Sequence, residues 1–142
     1  MHPITFLLIV VVAMVVSLPL LKIGVDTLIK RQAQRAKIEP RDPLLVDMQP
    51  GKPALIYFTG AHCGPCKLVQ KPVIQQLTRD LGDSFQFLEI DIEQNMEAAM
   101  RWGVMKVPRT FILDRDLKVH TTNLDVTLLA VLKRQLEEAS QV

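Results

Sequence analysis

Cysteine is scarce in this chain: Cys63 and Cys66 are its only two in 142 residues, too few for the multi-bridge framework that staples small secreted domains. Charge of one sign is scarce too. Seventeen Lys and Arg stand against 15 Asp and Glu, a net charge of +2, which offers no broad basic surface for a nucleic acid. There is one long hydrophobic run, at the start of the chain; setting it aside leaves roughly 100 residues, one small domain with no room for a second. That run lacks the flanks of a cleaved signal peptide. Only Met1, His2 and Pro3 precede it, none of them Lys or Arg, and no Ala-x-Ala-like site follows. Internal repeats are absent as well.

The apolar run, Ile4 to Leu21, is uncharged and dominated by Val, Leu and Ile. At about 1.5 Å per residue, a helix of this length nearly crosses the ~30 Å core of a bilayer. Residues 1–21 are therefore expected to be a transmembrane anchor, touching lipid through residues 4–21. A small domain has little interior in which to hide a helix that is apolar all round. Lys22, Lys30, Arg31, Arg35 and Lys37 cluster on the C-terminal side of the run. The positive-inside rule then implies a single-pass protein whose soluble part faces the cytoplasm, the extracytoplasmic face being the alternative. Residues 22–43 read as a basic stem or linker, in which Ile23, Val25, Leu28 and Ile29 lie along the interface or the whole stretch is solvated. Pro40, Pro43, Pro50 and Pro53 end any continuous helix. The folded domain is assigned to residues 44–142.

Within that domain, Ala54 to Phe58 is a short apolar run fitting a buried central strand. Leu68, Val69, Val73, Ile74 and Leu77 recur at helical spacing, with a kink expected near Pro72 and a stop at Gly82. Phe85 to Asp91 alternates as a second strand, and Glu93 to Trp102 suits a helix ended by Gly103. Thr110 to Leu113 and Leu117 to Thr121 read as two strands joined by the turn Asp114-Arg115-Asp116. Asp125 to Glu138 carries Val126, Leu128, Leu129, Leu132 and Leu136 as an amphipathic helix. This order predicts an α/β fold: a mixed four-stranded sheet with one parallel pair and an antiparallel hairpin at its edge, helices covering both faces.

The stretch Cys63-Gly64-Pro65-Cys66-Lys67 directly follows the first strand. Its spacing builds a dithiol able to close into a small disulfide ring and so to transfer two electrons. From composition alone the pair is chemical, metal-binding or incidental. A structural zinc site wants four ligands, and two cysteines with nearby His62 fall short of that.

Further residues extend the pattern. Tyr57-Phe58 before the cysteines, Asp91 to Asn95, Trp102-Gly103-Val104-Met105-Lys106-Val107-Pro108 and Thr110 to Leu113 together resemble the thioredoxin family, over about residues 44–138. The resemblance implies a thioredoxin-like fold, here preceded by one transmembrane helix, and a thiol-disulfide oxidoreductase that needs no cofactor beyond the Cys63–Cys66 disulfide. Cys63, at a helix start whose free N–H groups favour a thiolate, is the expected nucleophile, and Cys66 resolves the mixed disulfide. Gly64 allows close approach of a partner chain, and Pro65 suits the first helical turn. The resemblance also implies a cis Val107–Pro108 bond in a loop that lies against the dithiol and pairs with an incoming peptide. Partners so implied are protein disulfides or dithiols and an upstream thiol reductant. A non-catalytic accessory subunit of a membrane complex is the alternative.

The chain departs from the family at four neighbours of the site. His62 replaces a tryptophan, and protonated it would favour a Cys63 thiolate; as a surface residue it is merely exposed. Tyr57 replaces a buried aspartate tied to proton transfer, and Glu89, in place of a lysine, is either a substitute carboxylate or a surface strand charge. Arg109 replaces a small polar residue and is expected to bias partners toward acidic surfaces. Lys67 and His120 read as solvated, Met100 and Met105 as packing residues, and Trp102 as a cap on the sheet edge.

Overall fold

The computed structural model describes the backbone of residues 3–36 and 42–142, with helix side chains in the first part described at 3–19, 21, 22, 24 and 25. It divides into two compact units, 1–36 and 37–142. The first is a single helix, α1 (Pro3–Ala36), 34 residues long with Pro19 inside it. From Ile4 to Leu18 its described side chains are exposed and mostly large and apolar. The expected span, 4–21, falls on this helix. Among the described residues no helix is long and apolar enough to cross a membrane; described side chains run without interruption only as far as Pro19. Of the basic cluster, Lys22 is described, while the side chains of Lys30, Arg31, Arg35 and Lys37 lie outside the described residues, as do those of Ile23, Leu28, Ile29 and Pro40.

The second unit is built on four strands: β1 (Ala54–Thr59), β2 (Gln86–Asp91), β3 (Arg109–Leu113) and β4 (Val119–Asn123), in the order β2-β1-β3-β4. β1 and β2 are parallel, and the other two pairings are antiparallel. β1 sits between two neighbours with both faces covered, so its residues are apolar without alternation and buried from Ala54 to Phe58. One face carries Ile56, Phe58 and Phe111 against Trp102 and Val104; the other carries Leu55, Tyr57 and Ile112 against Cys66, Ile74, Leu77, Leu132 and Leu136. Helix α3 (Met96–Arg101) precedes Trp102 on the first face. Helices α2 (Lys71–Leu81) and α4 (Leu129–Ser140) cover the second.

Trp102 is not at the sheet edge. It is buried over the central strands, its ring centroid 5.9 Å from Phe58 and 5.0 Å from Phe111, because an indole buries more apolar area in the interior than at a rim. Met100 and Met105 are not packing residues; both are exposed.

Several boundaries shift for local reasons. The Asp91 carboxylate accepts from Glu93 N–H and its carbonyl from Asn95 N–H, so residues 92–95 form a turn and α3 starts only at Met96. The Asp114 carboxylate likewise accepts from Asp116 and Lys118 N–H. With Leu117 at φ 61°, this lengthens the hairpin turn and moves β4 to Val119. Gly103 ends α3 at φ 63°, and Gly82 ends α2 at φ 51°, both in the left-handed region open to glycine. The irregularity expected at Pro72 lies just before it. Cys66–Gln70 is a π-helical turn in which Lys71 N–H donates to the Cys66 carbonyl, a widening suited to a proline that cannot donate to the preceding turn.

Candidate active site

Cys63 and Cys66 are joined as a disulfide, their Cα atoms 5.3 Å apart. The end of β1 and the turn Gly60-Ala61-His62 deliver Cys63, whose N–H donates to the Gly60 carbonyl at 3.2 Å. Its own carbonyl accepts from Lys67 N–H at 3.3 Å, and its Sγ accepts from Cys66 N–H at 3.2 Å. Cys63 thus occupies the position of a helix cap, with a donor already aimed at its sulfur, and such a donor favours a thiolate there. The two sulfurs differ in access: Cys63 is half-buried, while Cys66 is 0% exposed. Only the first offers itself to an incoming thiolate. Gly64 has open space where a side chain would stand, and Pro65 lies in the first turn with helical torsions.

The Val107–Pro108 peptide bond is cis. A Cβ placed on Gly60 would meet Val107 Cγ2 at 3.5 Å and Cys63 Cβ at 3.9 Å, so the loop and the first cysteine flank one narrow point. Helix side and loop side are both tied to the segment before α4. Gln70, fully buried at the end of the π turn, donates through Nε2 to the Thr127 carbonyl at 3.2 Å and accepts Thr127 N–H at 2.7 Å. Lys106 pairs with Asp125 at 3.2 Å. These bonds explain why α4 begins at Leu129 rather than Asp125: the Thr127 backbone is committed to Gln70. No sequence periodicity marks Gln70, and its uncharged amide within an amphipathic pattern gave no signal.

Tyr57 is buried, and its hydroxyl lies 3.2 Å from Thr59 Oγ1 and 3.3 Å from the Cys66 carbonyl. Burial first, then the Glu89 charge, push its ionisation up against the opposing Thr59 bond, so it stays a neutral donor. Glu89 stands beside it in register on β2 and pairs at 3.7 Å with Lys71 across a cleft of about 500 Å³ between α2 and β2. His62 is 92% exposed in its side chain and pairs with Glu93 at 3.2 Å.

Arg109 overturns its expectation. It is 7% exposed, with Nη1 donating to the Gly103 carbonyl at 2.9 Å and the guanidinium 5.3 Å from the Phe111 ring centroid. Its place on the inward face of β3, beside Phe111, takes it away from solvent, so it is no contact for acidic partner surfaces. Burial lowers its affinity for a proton. Among the described residues no group of His, Cys, Asp and Glu is arranged to hold a metal ion.

A family model described as Thioredoxin matches residues 45–136. The chain belongs to the thioredoxin family. A thioredoxin from Bacillus subtilis (strain 168) is 35% identical over 65 residues, which cover 46% of this chain and 62% of that protein. The thioredoxin-like protein slr1139 from Synechocystis sp. is 33% identical over 89 residues, covering 61% and 81% respectively. Among solved structures, a DsbF homologue from Corynebacterium diphtheriae superposes with a TM-score of 0.56 at 18% identity, covering 66% of this chain and 75% of that one. StoA from Bacillus subtilis does so at 0.53 and 17%, covering 62% and 84%. At these identities the structural likeness speaks for the thioredoxin fold. The same fold places the dithiol at the start of its helix, beside the cis-proline loop.

Proposed function

We propose that this protein is a membrane-tethered thiol-disulfide oxidoreductase that reduces or exchanges protein disulfides through Cys63 and Cys66. The observation that carries the reading is the asymmetry of the pair: a half-buried Cys63 whose sulfur accepts a backbone N–H, bonded to a wholly buried Cys66. In the reduced protein the Cys63 thiolate attacks a substrate disulfide, forming the mixed disulfide and expelling one substrate thiolate. Cys66 then attacks Cys63 Sγ, releasing the second thiolate and restoring the internal disulfide. Two electrons pass to the substrate, and a thiol reductant returns them. His62, Gly64, Pro65, Val107 and Pro108 shape the approach to Cys63.

The tether rests on the uncharged run 4–21 and on the apolar side chains that α1 exposes on all sides. The charge cluster that follows the run supports a cytoplasmic domain. The full chain in detergent is expected to reduce insulin disulfides with a dithiol donor, and Cys63→Ser to abolish this. Full activity in that variant would remove Cys63 from the mechanism. A reporter active only in the cytoplasm, fused after Val142, is expected to be active; a stable but inactive fusion would reverse the orientation.

A further inference from the structure

Strand β2 lies at the edge of the sheet: in the order β2-β1-β3-β4, among the described residues, only β1 pairs with it. Gln86 N–H donates to the Pro53 carbonyl at 2.9 Å, and Ile92 N–H to the Thr59 carbonyl at 3.0 Å. In a parallel ladder alternate residues turn both main-chain groups to the neighbour. Gln86, Leu88 and Ile90 therefore face β1, while Phe87, Glu89 and Asp91 face outward. The Asp91 carbonyl is taken by Asn95 N–H at 2.9 Å. The N–H and C=O of Phe87 and Glu89 meet no strand, turn or side-chain partner among the described residues. Such an edge is a template for another strand unless proline, a bulge or a covering element blunts it. β2 contains no proline and pairs with β1 in unbroken register.

Beside this edge, on the α2 side of the sheet, lies the cleft of about 500 Å³, lined by Lys71, Ile74, Thr78, Arg79, Phe87 and Glu89 among others. A residue paired opposite Phe87 or Glu89 sets its side chain on that same face. The cleft differs along its length. At one end Glu89 and Lys71 answer each other at 3.7 Å. Toward the other, where residues 82–85 lead α2 back into β2, Phe87 is 39% exposed. There Arg79 donates to the Gln76 side chain at 2.7 Å and makes no ion pair among the described residues. We propose that the outer edge of β2 docks an extended segment of a partner protein as an added antiparallel strand, with an apolar side chain against Phe87 and Ile74 and a carboxylate two residues later, toward Arg79. Antiparallel pairing is the more stable kind and lets Phe87 and Glu89 each exchange both bonds with the residue opposite. The main chain supplies affinity and the cleft selects side chains. A second copy of this chain fits less well, because antiparallel self-pairing sets Glu89 opposite either another Glu89 or a Phe87. The docking is independent of the dithiol.

The test uses the full chain in detergent and the disulfide-free peptide acetyl-Thr-Lys-Thr-Val-Thr-Glu-Thr-amide, with its Lys opposite Glu89, its Val opposite Phe87 and its Glu toward Arg79. Binding is followed by titration calorimetry and by residue-resolved hydrogen exchange, which the peptide is expected to slow at the Phe87 and Glu89 amides. N-methylation of the peptide's Lys and Val, whose N–H groups point at β2, should weaken binding about tenfold or more, whereas N-methylation of the two Thr residues flanking Val should leave it within about threefold. In the protein, Arg79→Glu should weaken binding about threefold or more at low salt. Glu89→Pro puts its ring where the outward N–H stood, at a position where an edge strand admits proline, and should abolish binding; Glu89→Ala should retain it. Equal binding of the two methylated peptides overturns the proposal, as does unchanged exchange at Phe87 and Glu89 in millimolar peptide. Slow exchange at both amides before peptide is added, in a chain that sediments as a dimer, also overturns it, because a second copy then holds the edge. If Glu89→Pro does not fold, the methylated peptides decide alone.

Discussion

Replacing Gln70 by Met tests whether the clamp between the dithiol helix and the segment before α4 supports the fold. The side chain is fully buried and both of its amide bonds go to the Thr127 backbone. Met fills nearly the same volume, so little cavity is left and the loss is one of hydrogen bonding. Two bonds at about 0.5–1.5 kcal/mol net, plus the excess cost of leaving a Thr127 N–H and carbonyl dry, give about 2–4 kcal/mol. For a domain of about 100 residues this lowers Tm by roughly 10–25 °C. Urea unfolding is expected to show a lower midpoint at unchanged slope, the sign of lost stability without a change in the surface exposed. A variant within about 0.5 kcal/mol of wild type, the range of an ordinary surface change, would refute the clamp.

Two further predictions follow from the same geometry. Burial alone would raise the Asp42 carboxyl, but bonds from Arg101 at 3.1 Å and from Leu44 N–H at 2.9 Å, a weaker favourable contact with the Trp102 indole, and the Arg101 charge hold it below the usual carboxylate range. Its folded value lies below the unfolded one, so its stabilisation is complete above the unfolded value of about 3.9 and is lost as pH falls through the folded value. Asp42→Asn should therefore lower the neutral-pH urea midpoint and flatten its decline below about pH 4; parallel curves for the two proteins would contradict this. At Gly60, Ala adds a methyl at ordinary contact distance from Val107 and Cys63 and should keep most insulin-reducing activity. Val, which must push into that contact, should lose it by more than about tenfold, an overpacking cost of about 1–3 kcal/mol; equal activities would mean the loop yields freely.

The strand and helix order was legible because β1 is continuously apolar and α4 is amphipathic, and these patterns do not depend on partners. Starts and stops were less so. Asp91, Asp114 and Thr127 hold backbone groups in turns through bonds that a propensity pattern does not record. The dithiol and Pro108 stood out by spacing within a familiar motif. Arg109 was misread because an arginine's burial depends on the face of β3 it occupies, and Gln70 was missed because its partner lies 57 residues away. Tyr57 was noticed as a departure, but its hydroxyl's reach to the Cys66 carbonyl is a matter of packing.

The central claim is that Cys63 attacks and Cys66 resolves. Reduced Cys66→Ser full chain, mixed with a protein disulfide substrate, is expected to accumulate a covalent adduct that thiol reductant removes and that peptide mass spectrometry assigns to Cys63. Under the same conditions Cys63→Ser should form none, since its remaining sulfur is buried. An adduct on Cys66 in Cys63→Ser, as abundant as that on Cys63 in Cys66→Ser, would contradict the assignment.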